Sequence, residues 1–561
     1  MLVLSLGHIN WELHMAVDIH THLFNLRYLP LKGIIDARAN GVLTKFAAKA
    51  LVKYLLWRTR DDDVIDGGNS LKSASLNSSA QFSPVLGTLT TQAVLSQDQE
   101  DELEAFLIDE AAFADELMTD DDFVKAIFEA NDINANEADL IMLGNTQTNV
   151  LPMLTSASSY KSAMKADRQS VSNIRSSFKS LLNPLFRKFR ELGDFWHWLV
   201  LQTESESKIM DTLINTYTSG DEGVQLYIDH MMDMELHYPG QKKPVYKEPE
   251  LRMSRMRKLY NSSSGLVLGF YGWCPLRDNA LDLVKRAIEE EGFVGVKFYC
   301  PNGYRAQGNE RFDSQDLVNN VVRGGVSASD IDSRNLKLFD YCNSNRVPIF
   351  SHSQPGEMES VSGYTGKMSH PKYYSEILQQ FEDLIICFGH AGGSEGWLPK
   401  VIDNDPWQGT DQQSSDYASD IELSSYARVI YDACVNNNNV YCGVGAHSEI
   451  SDSNSIGNFR DRLNILFSES RDNSLQVNFD QRIAYGSDWH MIFKHRQHAF
   501  YLKNYQKVFE DGSGLEGSRD LFFNKNMLNF LHLPEYLIRA KGKISAAHVN
   551  NLEKLISQLS V

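Results

Sequence analysis

The chain has 561 residues, of which 42% are hydrophobic and 23% charged, with a formal net charge of −19. That length supports a large buried core, and the acidity argues against a nucleic-acid backbone or an anionic membrane as principal partner. No run approaches the ~20 apolar residues that span a bilayer, and "MLVLSLGHINWELHM" lacks the basic start and apolar length of a signal peptide, so a cytoplasmic protein is expected. The six cysteines show no C-x-x-C spacing and read as reduced thiols.

The first apolar run, "AVDIHTHLF" (16–24), carries His20 and His22 two positions apart. On a strand such residues share a face roughly 6.6 Å apart, so both rings can converge on one ion. Two partly exposed histidines at a strand end are the plainer reading, and both stay open on this stretch alone. About two hundred residues then interrupt the pattern. Within them "GGNSLKSASLNSSAQFSPVLGTLTTQ" (67–92) is rich in Ser, Asn and Gly and reads as a flexible loop. Residues 96–123 read as an acidic helix with a solvated face, and 98–131 and about 168–217 as helical. The expectation is an inserted helical region, 36–220, capping the mouth of whatever the flanking segments build.

From 223 onward short apolar runs alternate with helical patterns. The runs are "GVQLYIDH" (223–230), "GLVLGFYGW" (265–273), "GFVGVKFY" (292–299), "VPIFSHS" (347–353), "LIICFGHAGG" (384–393), "NVYCGVG" (439–445) and "RIAYGSDWH" (482–490). Helical patterns between them include 279–291, 333–345 and 372–383. Strands alternating with amphipathic helices predict a parallel sheet of βα units, and with "AVDIHTH" there are eight, the number that closes a (β/α)₈ TIM barrel. The expected division is 1–35 for the first strand and entry, 36–220 for the insertion, 221–535 for the rest of the barrel and 536–561 for a C-terminal helical tail.

In such a barrel chemistry sits at the C-terminal strand ends. His20 and His22 end strand one, Lys297 lies near the end of strand four, His352 ends strand five, His390 strand six and Asp488 strand eight. Barrel closure would bring these groups round one mouth. Three histidines and a carboxylate match what zinc or another divalent ion needs, with bonds of roughly 2.0–2.2 Å and a position left for water.

The motifs "DIHTH", "GVKFYCPNGYR", "FSHSQPGE", "FGHAGG" and "YGSDWHM", in this order, resemble the amidohydrolase superfamily. They most resemble its amidohydrolase-related branch, which includes aminocarboxymuconate-semialdehyde decarboxylase. The resemblance covers residues 12–30 and about 222–535, including "FFNKNMLNFLHL" (522–533), and is silent over about 36–220. It implies His20, His22, His352 and Asp488 as ligands of one divalent metal, zinc first, with manganese or iron as alternatives. His390 is then an electrophile in a one-metal site or a ligand of a second metal. Lys297 is a carboxylated bridge between two metals, or a lysine that pairs with a carboxylate or binds substrate.

Asp229 and His230 end strand two, His447 and Glu449 follow strand seven, and His490 lies two beyond Asp488. The last three are candidates for outer hydrogen-bond partners of ligands. His230 and Tyr299 are candidate substrate contacts, and Arg305 is another, since its planar fork suits a carboxylate. His14, His237, His370, His495, His498 and His532 lie off the strand ends, where packing or surface roles are expected. The leading functional expectation is a metal-dependent hydrolase of a small-molecule amide, lactone or ester, with Asp488 as the base. Non-oxidative decarboxylation on the same groups is one alternative, and a catalytically silent barrel serving as a scaffold is another. No nucleic-acid or membrane partner is expected, and a homo-oligomer is left open.

Overall fold

The computed structural model describes residues 16–30, 59, 198, 201–217, 223–238, 249–310, 321, 324–356, 358–361, 363–401, 426–472, 475–493 and 498–559. The polar stretch 67–92, the acidic segment 96–123, the helical pattern 98–131, most of 168–217, His14 and His495 lie outside the described residues. By internal contacts the chain divides into two units. One comprises Met1–Arg38, Thr59–Ile65 and Asp194–Val561, the other Ala39–Arg58 and Asp66–Gly193. Every described residue belongs to the first.

Eight parallel strands form one sheet in sequential order: β1 (Ala16–Thr21), β2 (Val224–His230), β3 (Val267–Gly272), β4 (Gly295–Phe298), β5 (Ile349–His352), β6 (Ile386–Gly389), β7 (Val440–Gly443) and β8 (Ile483–Ala484). β1 pairs directly with β2 across the long intervening sequence. The sheet curls back on itself, with Ile19 N donating to Tyr485 O at 3.5 Å and Asp488 N to His20 O at 2.6 Å. This is the expected (β/α)₈ arrangement. Each strand is buried throughout, which is why strands of such sheets read as continuous apolar runs.

Between strands run α2 (Pro249–Ser262), α3 (Ala280–Glu289), α4 (Ala328–Asn345), α5 (Ser375–Gln380), α6 (Tyr426–Asn436) and α7 (Ser453–Asp472), with α1 (Glu206–Tyr217) preceding β2. The α3 helix shows the sequence logic plainly. It buries Ala280, Leu283, Val284, Ala287 and Ile288, the i, i+3, i+4, i+7, i+8 stripe of a helix packed on a sheet. A capping box starts α4, with the Ser327 hydroxyl accepting from Asp330 N and the Asp330 carboxylate reaching back to Ser327 N. The run expected as one helix at 372–383 breaks into a 3-10 turn (Pro371–Tyr374) and the short α5.

The period-two alternation of the strands divides the core in two. Val17, Ile19, Leu226, Ile228, Leu268, Phe270, Phe350 and Cys387 form one cluster with residues of α9 (Asn526–Phe530), α10 (Leu533–Ala540) and α11 (Ala546–Leu559). Tyr227, Tyr271, Val296, Phe298, Ile349 and Phe388, of the opposite parity, pack outward on the crossover helices. Strict alternation would put His20 on the outer face, opposite Ile19. A register irregularity prevents this: Asp18 pairs with Tyr227 but Thr21 with Asp229, so β1 carries one extra residue there. The bulge turns His20 inward, to 4.7 Å from the Phe350 ring and 5.0 Å from that of His230. The two histidines converge through this irregularity rather than through simple alternation.

Candidate metal centre

His20, His22 and Asp488 offer ligand atoms that all lie within 4.8 Å of one another, and all three are buried. The His22 Nε2 is 3.7 Å and the His20 Nε2 4.0 Å from Asp488 Oδ1. Bonds of about 2.0–2.2 Å would reach across either of these two separations to a shared ion. His22 Nδ1 donates to His230 O at 2.8 Å. Because a carbonyl only accepts, the proton sits on Nδ1 and the Nε2 lone pair faces the site. Two glycines admit this crowding. A Cβ at Gly445 would meet His20 Nδ1 at 3.1 Å, and one at Gly486 would meet Val444 O at 2.6 Å and His20 Cβ at 3.2 Å.

Asp488 opens α8 (Trp489–Ile492) and sits in the left-handed region at φ 47, ψ 47. Its neighbour Ser487 is tied to β1. Asp18 accepts from Ser487 N at 2.8 Å, from the Ser487 hydroxyl at 2.5 Å and from His20 N at 3.1 Å. Burial pushes the Asp18 carboxyl up to about 7, against these hydrogen bonds, which favour the anion.

The β5/β6 side is built differently. His390 Nδ1 donates to Gly445 O at 3.1 Å, which leaves its Nε2 to accept from His352 Nδ1 at 3.0 Å. His352 Nε2 is then a bare lone pair, buried and without a hydrogen-bond partner among the described residues. His352 does not join the compact group of three. His390 and Ala391 have positive φ (60 and 47), and His447 Nε2 donates to His390 O at 2.8 Å while its Nδ1 accepts from Tyr505 OH at 3.1 Å. His447 thus holds the main chain that carries His390.

Lys297, on β4, is buried with Nζ 3.3 Å from His20 Nε2 and 4.6 Å from the centre of the Phe350 ring. Burial lowers its ammonium to about 7, partly countered by the charge of Asp488. The imidazoles of His20, His22, His230 and His390 are held well below their usual range, by burial first and the Lys297 charge next. His352 is likewise held low by burial, then by His390 and Lys297. Neutral imidazoles are the form that binds metal.

The remaining candidates divide. The Tyr299 ring lies 4.8 Å from that of His352, at the site. His230 Nε2 donates to Ile19 O at 2.7 Å and its ring packs 4.2 Å from Phe350. Asp229 accepts from Leu23 N at 2.8 Å and Tyr260 OH at 2.5 Å, fixing the chain just beyond His22. The Arg305 guanidinium stacks on Tyr373, 4.1 Å from the ring centre. His490 packs 6.2 Å from His22 and 4.6 Å from Phe24. Asp18, Ser487 and Gly445 went unmarked in the sequence reading, since their roles depend on contacts between segments far apart in the chain.

Residues 232–408 match a family model described as amidohydrolase. That span covers about a third of the chain and includes Lys297, His352 and His390 but not His20, His22 or Asp488. None of the curated proteins matches. Similar solved structures include 2,6-dihydroxybenzoate decarboxylase from Rhizobium, at 14% identity and TM-score 0.33, covering 58% of this chain and 87% of that one. A dihydroxybenzoic acid decarboxylase from Polaromonas, with bound manganese and 2-nitroresorcinol, is similar at 12% identity and TM-score 0.32, covering 58% and 85%. The 5-carboxyvanillate decarboxylase of Sphingomonas paucimobilis is similar at 10% identity and TM-score 0.31, covering 55% and 79%.

Proposed function

We propose that the barrel mouth is a metal-dependent active site of the amidohydrolase kind, hydrolysing a C–N or C–O bond of a small molecule. The buried group of His20, His22 and Asp488, within 4.8 Å, carries this reading. The donor set fits one divalent cation, zinc first and manganese or iron as alternatives, with His352 Nε2 as the fourth protein ligand. When bound, the cation supplies Lewis acidity that polarises a carbonyl and lowers the pKa of water toward about 7. Asp488 accepts the proton of the attacking water and returns it to the leaving nitrogen or oxygen. His390, whose Nε2 accepts from His352, orients that ligand. We further propose that 36–220 is an insertion into the barrel rather than an extra βα unit, because β1 and β2 pair directly across it.

Non-oxidative decarboxylation is a second reading, favoured by one observation: the Lys297 ammonium is buried against His20, where it suits a substrate carboxylate. Metal analysis and a substrate panel test both. Purified protein is expected to hold close to one divalent metal per chain, and a panel of lactones, amides and aromatic acids, followed for hydrolysis product and for carbon dioxide, separates the reactions. A protein that stays metal-free after incubation with zinc, manganese and iron overturns the reading. Two metals per chain, reduced to one in Lys297→Ala, would make Lys297 a bridging ligand.

A further inference from the structure

The ligands of the proposed centre come from opposite ends of the chain. His20 and His22 belong to β1 and its exit, Asp488 to the turn after β8, and these two strands form the seam where the barrel closes. The seam is sparsely bonded: between these segments the main-chain bonds among the described residues are Ile19 N to Tyr485 O at 3.5 Å and Asp488 N to His20 O at 2.6 Å. With only Ile483 and Ala484 in β8, a regular ladder cannot set the distance between ligands.

We propose that Asp18 is a positioning residue of the metal centre, a buried carboxylate that locks the two ligand-bearing segments into register. The inference rests on the metal reading above. Asp18 Oδ1 accepts from His20 N at 3.1 Å and Ser487 N at 2.8 Å, while Oδ2 accepts the Ser487 hydroxyl at 2.5 Å. The Ser487 oxygen accepts in turn from Trp489 N at 2.9 Å. Three successive amides, of residues 487 to 489, are thereby satisfied by Asp18, His20 O and Ser487 Oγ. The middle one belongs to Asp488, whose left-handed backbone is a conformation that persists only where surroundings over-determine it.

Three donors converge on Asp18, and an acceptor-only group with two oxygens satisfies all of them. An amide in its place has one acceptor and presents an NH₂ to the Ser487 oxygen. Asp18 also stands immediately before the bulge that turns His20 inward. The same carboxylate therefore fixes the ligand on β1 and the peptide that aims the ligand after β8. It acts through the main-chain amide of His20 and through Ser487.

The test is cobalt(II) titration of metal-free full-length protein, read by visible absorption, for wild type, Asp18→Asn, Ser487→Ala and the double variant. Thermal melting of the metal-free proteins is recorded alongside. Asp18→Asn is expected to weaken Co²⁺ binding by ~10- to 100-fold, typical of removing an outer hydrogen-bond partner, and to alter the ligand-field bands. Ser487→Ala should weaken it less, and the double variant should lose less than the product of the two factors, because both changes break the Asp18–Ser487 contact. A lowered melting temperature with unchanged Co²⁺ affinity and spectrum in Asp18→Asn would make the residue merely structural and overturn the inference. If Asp18→Asn does not fold, wild-type affinity and spectrum in Ser487→Ala overturn it equally. Wild-type protein that binds no Co²⁺ overturns the metal reading, and this inference with it, whereas tight wild-type binding with unaffected variants removes this inference alone.

Discussion

The two sides of the barrel mouth present the same kind of side chain but hold it by different means. At the β1/β8 side, His22 is fixed by a main-chain carbonyl and Asp488 by its own amide, and the buried carboxylates Asp18 and Asp229 grip the chain on either side of the His-x-His segment. At the β5/β6 side, His352 is held by a second imidazole, His390, itself carried on backbone with positive φ. The first arrangement brings three donors within 4.8 Å of one another. The second leaves its lone pair outside that group, on a partner that a rotation of one ring can release. In the proposed centre, His20, His22 and Asp488 are then the compact donors, and His352 is the fourth ligand that a ring rotation brings in.

The largest effect expected is from Asp488→Asn. The amide retains an oxygen toward the ion and tolerates left-handed backbone, but it cannot take a proton, so turnover should fall by ~10²- to 10⁴-fold while metal content by elemental analysis stays near wild type. Near-normal turnover would exclude Asp488 as the base.

Next comes the contrast between the two sides. His22→Ala should reduce zinc affinity by more than ~100-fold in equilibrium dialysis, and His352→Ala by roughly a tenth of that factor, because only the former breaks the compact group. Equal losses would erase the distinction drawn above. His390→Ala should weaken zinc binding about 10-fold through its hold on His352. Unchanged affinity with reduced turnover would show instead that His390 acts on substrate directly.

The smallest effect concerns pH. Burial raises the Asp229 carboxyl to about 7 from its ordinary 3.8, the hydrogen bonds from Tyr260 and Leu23 opposing. A raised carboxyl favours the folded state fully below its unfolded pKa, and that contribution is lost as pH rises through about 7. Asp229→Asn lacks this dependence, so wild type should lose stability relative to the variant between about pH 5 and pH 8, by on the order of 1–3 kcal/mol. Thermal melting of both proteins across that range checks it, and a pH-independent difference would contradict it.

Every barrel strand was legible from its apolar run, because strands buried on both faces leave a continuous hydrophobic trace. The run at 482–490 overstated β8, which pairs at only two residues before the chain turns into α8. That His20, His22 and Asp488 come together was legible for a different reason: closing the sheet brings those strand ends to one place, whereas His352 stays outside their group. Their contacts were not. Asp18 reads as one more polar residue of "DIHTH", and its role depends on Ser487, 469 positions along the chain. The bulge that turns His20 inward has no glycine or other mark in the sequence. The pairing of His352 with His390 depends on ring orientation and tautomer, which periodicity does not encode.

The backbone at Asp488 implies a trade-off between folding and chemistry. Glycine adopts φ 47, ψ 47 without a Cβ penalty, whereas an L-residue there gives up roughly 1 kcal/mol. An Asp488→Gly protein that outlasts the wild type on heating while doing no work would mark residue 488 as a place where selection has kept a less durable molecule for the sake of a reactive one.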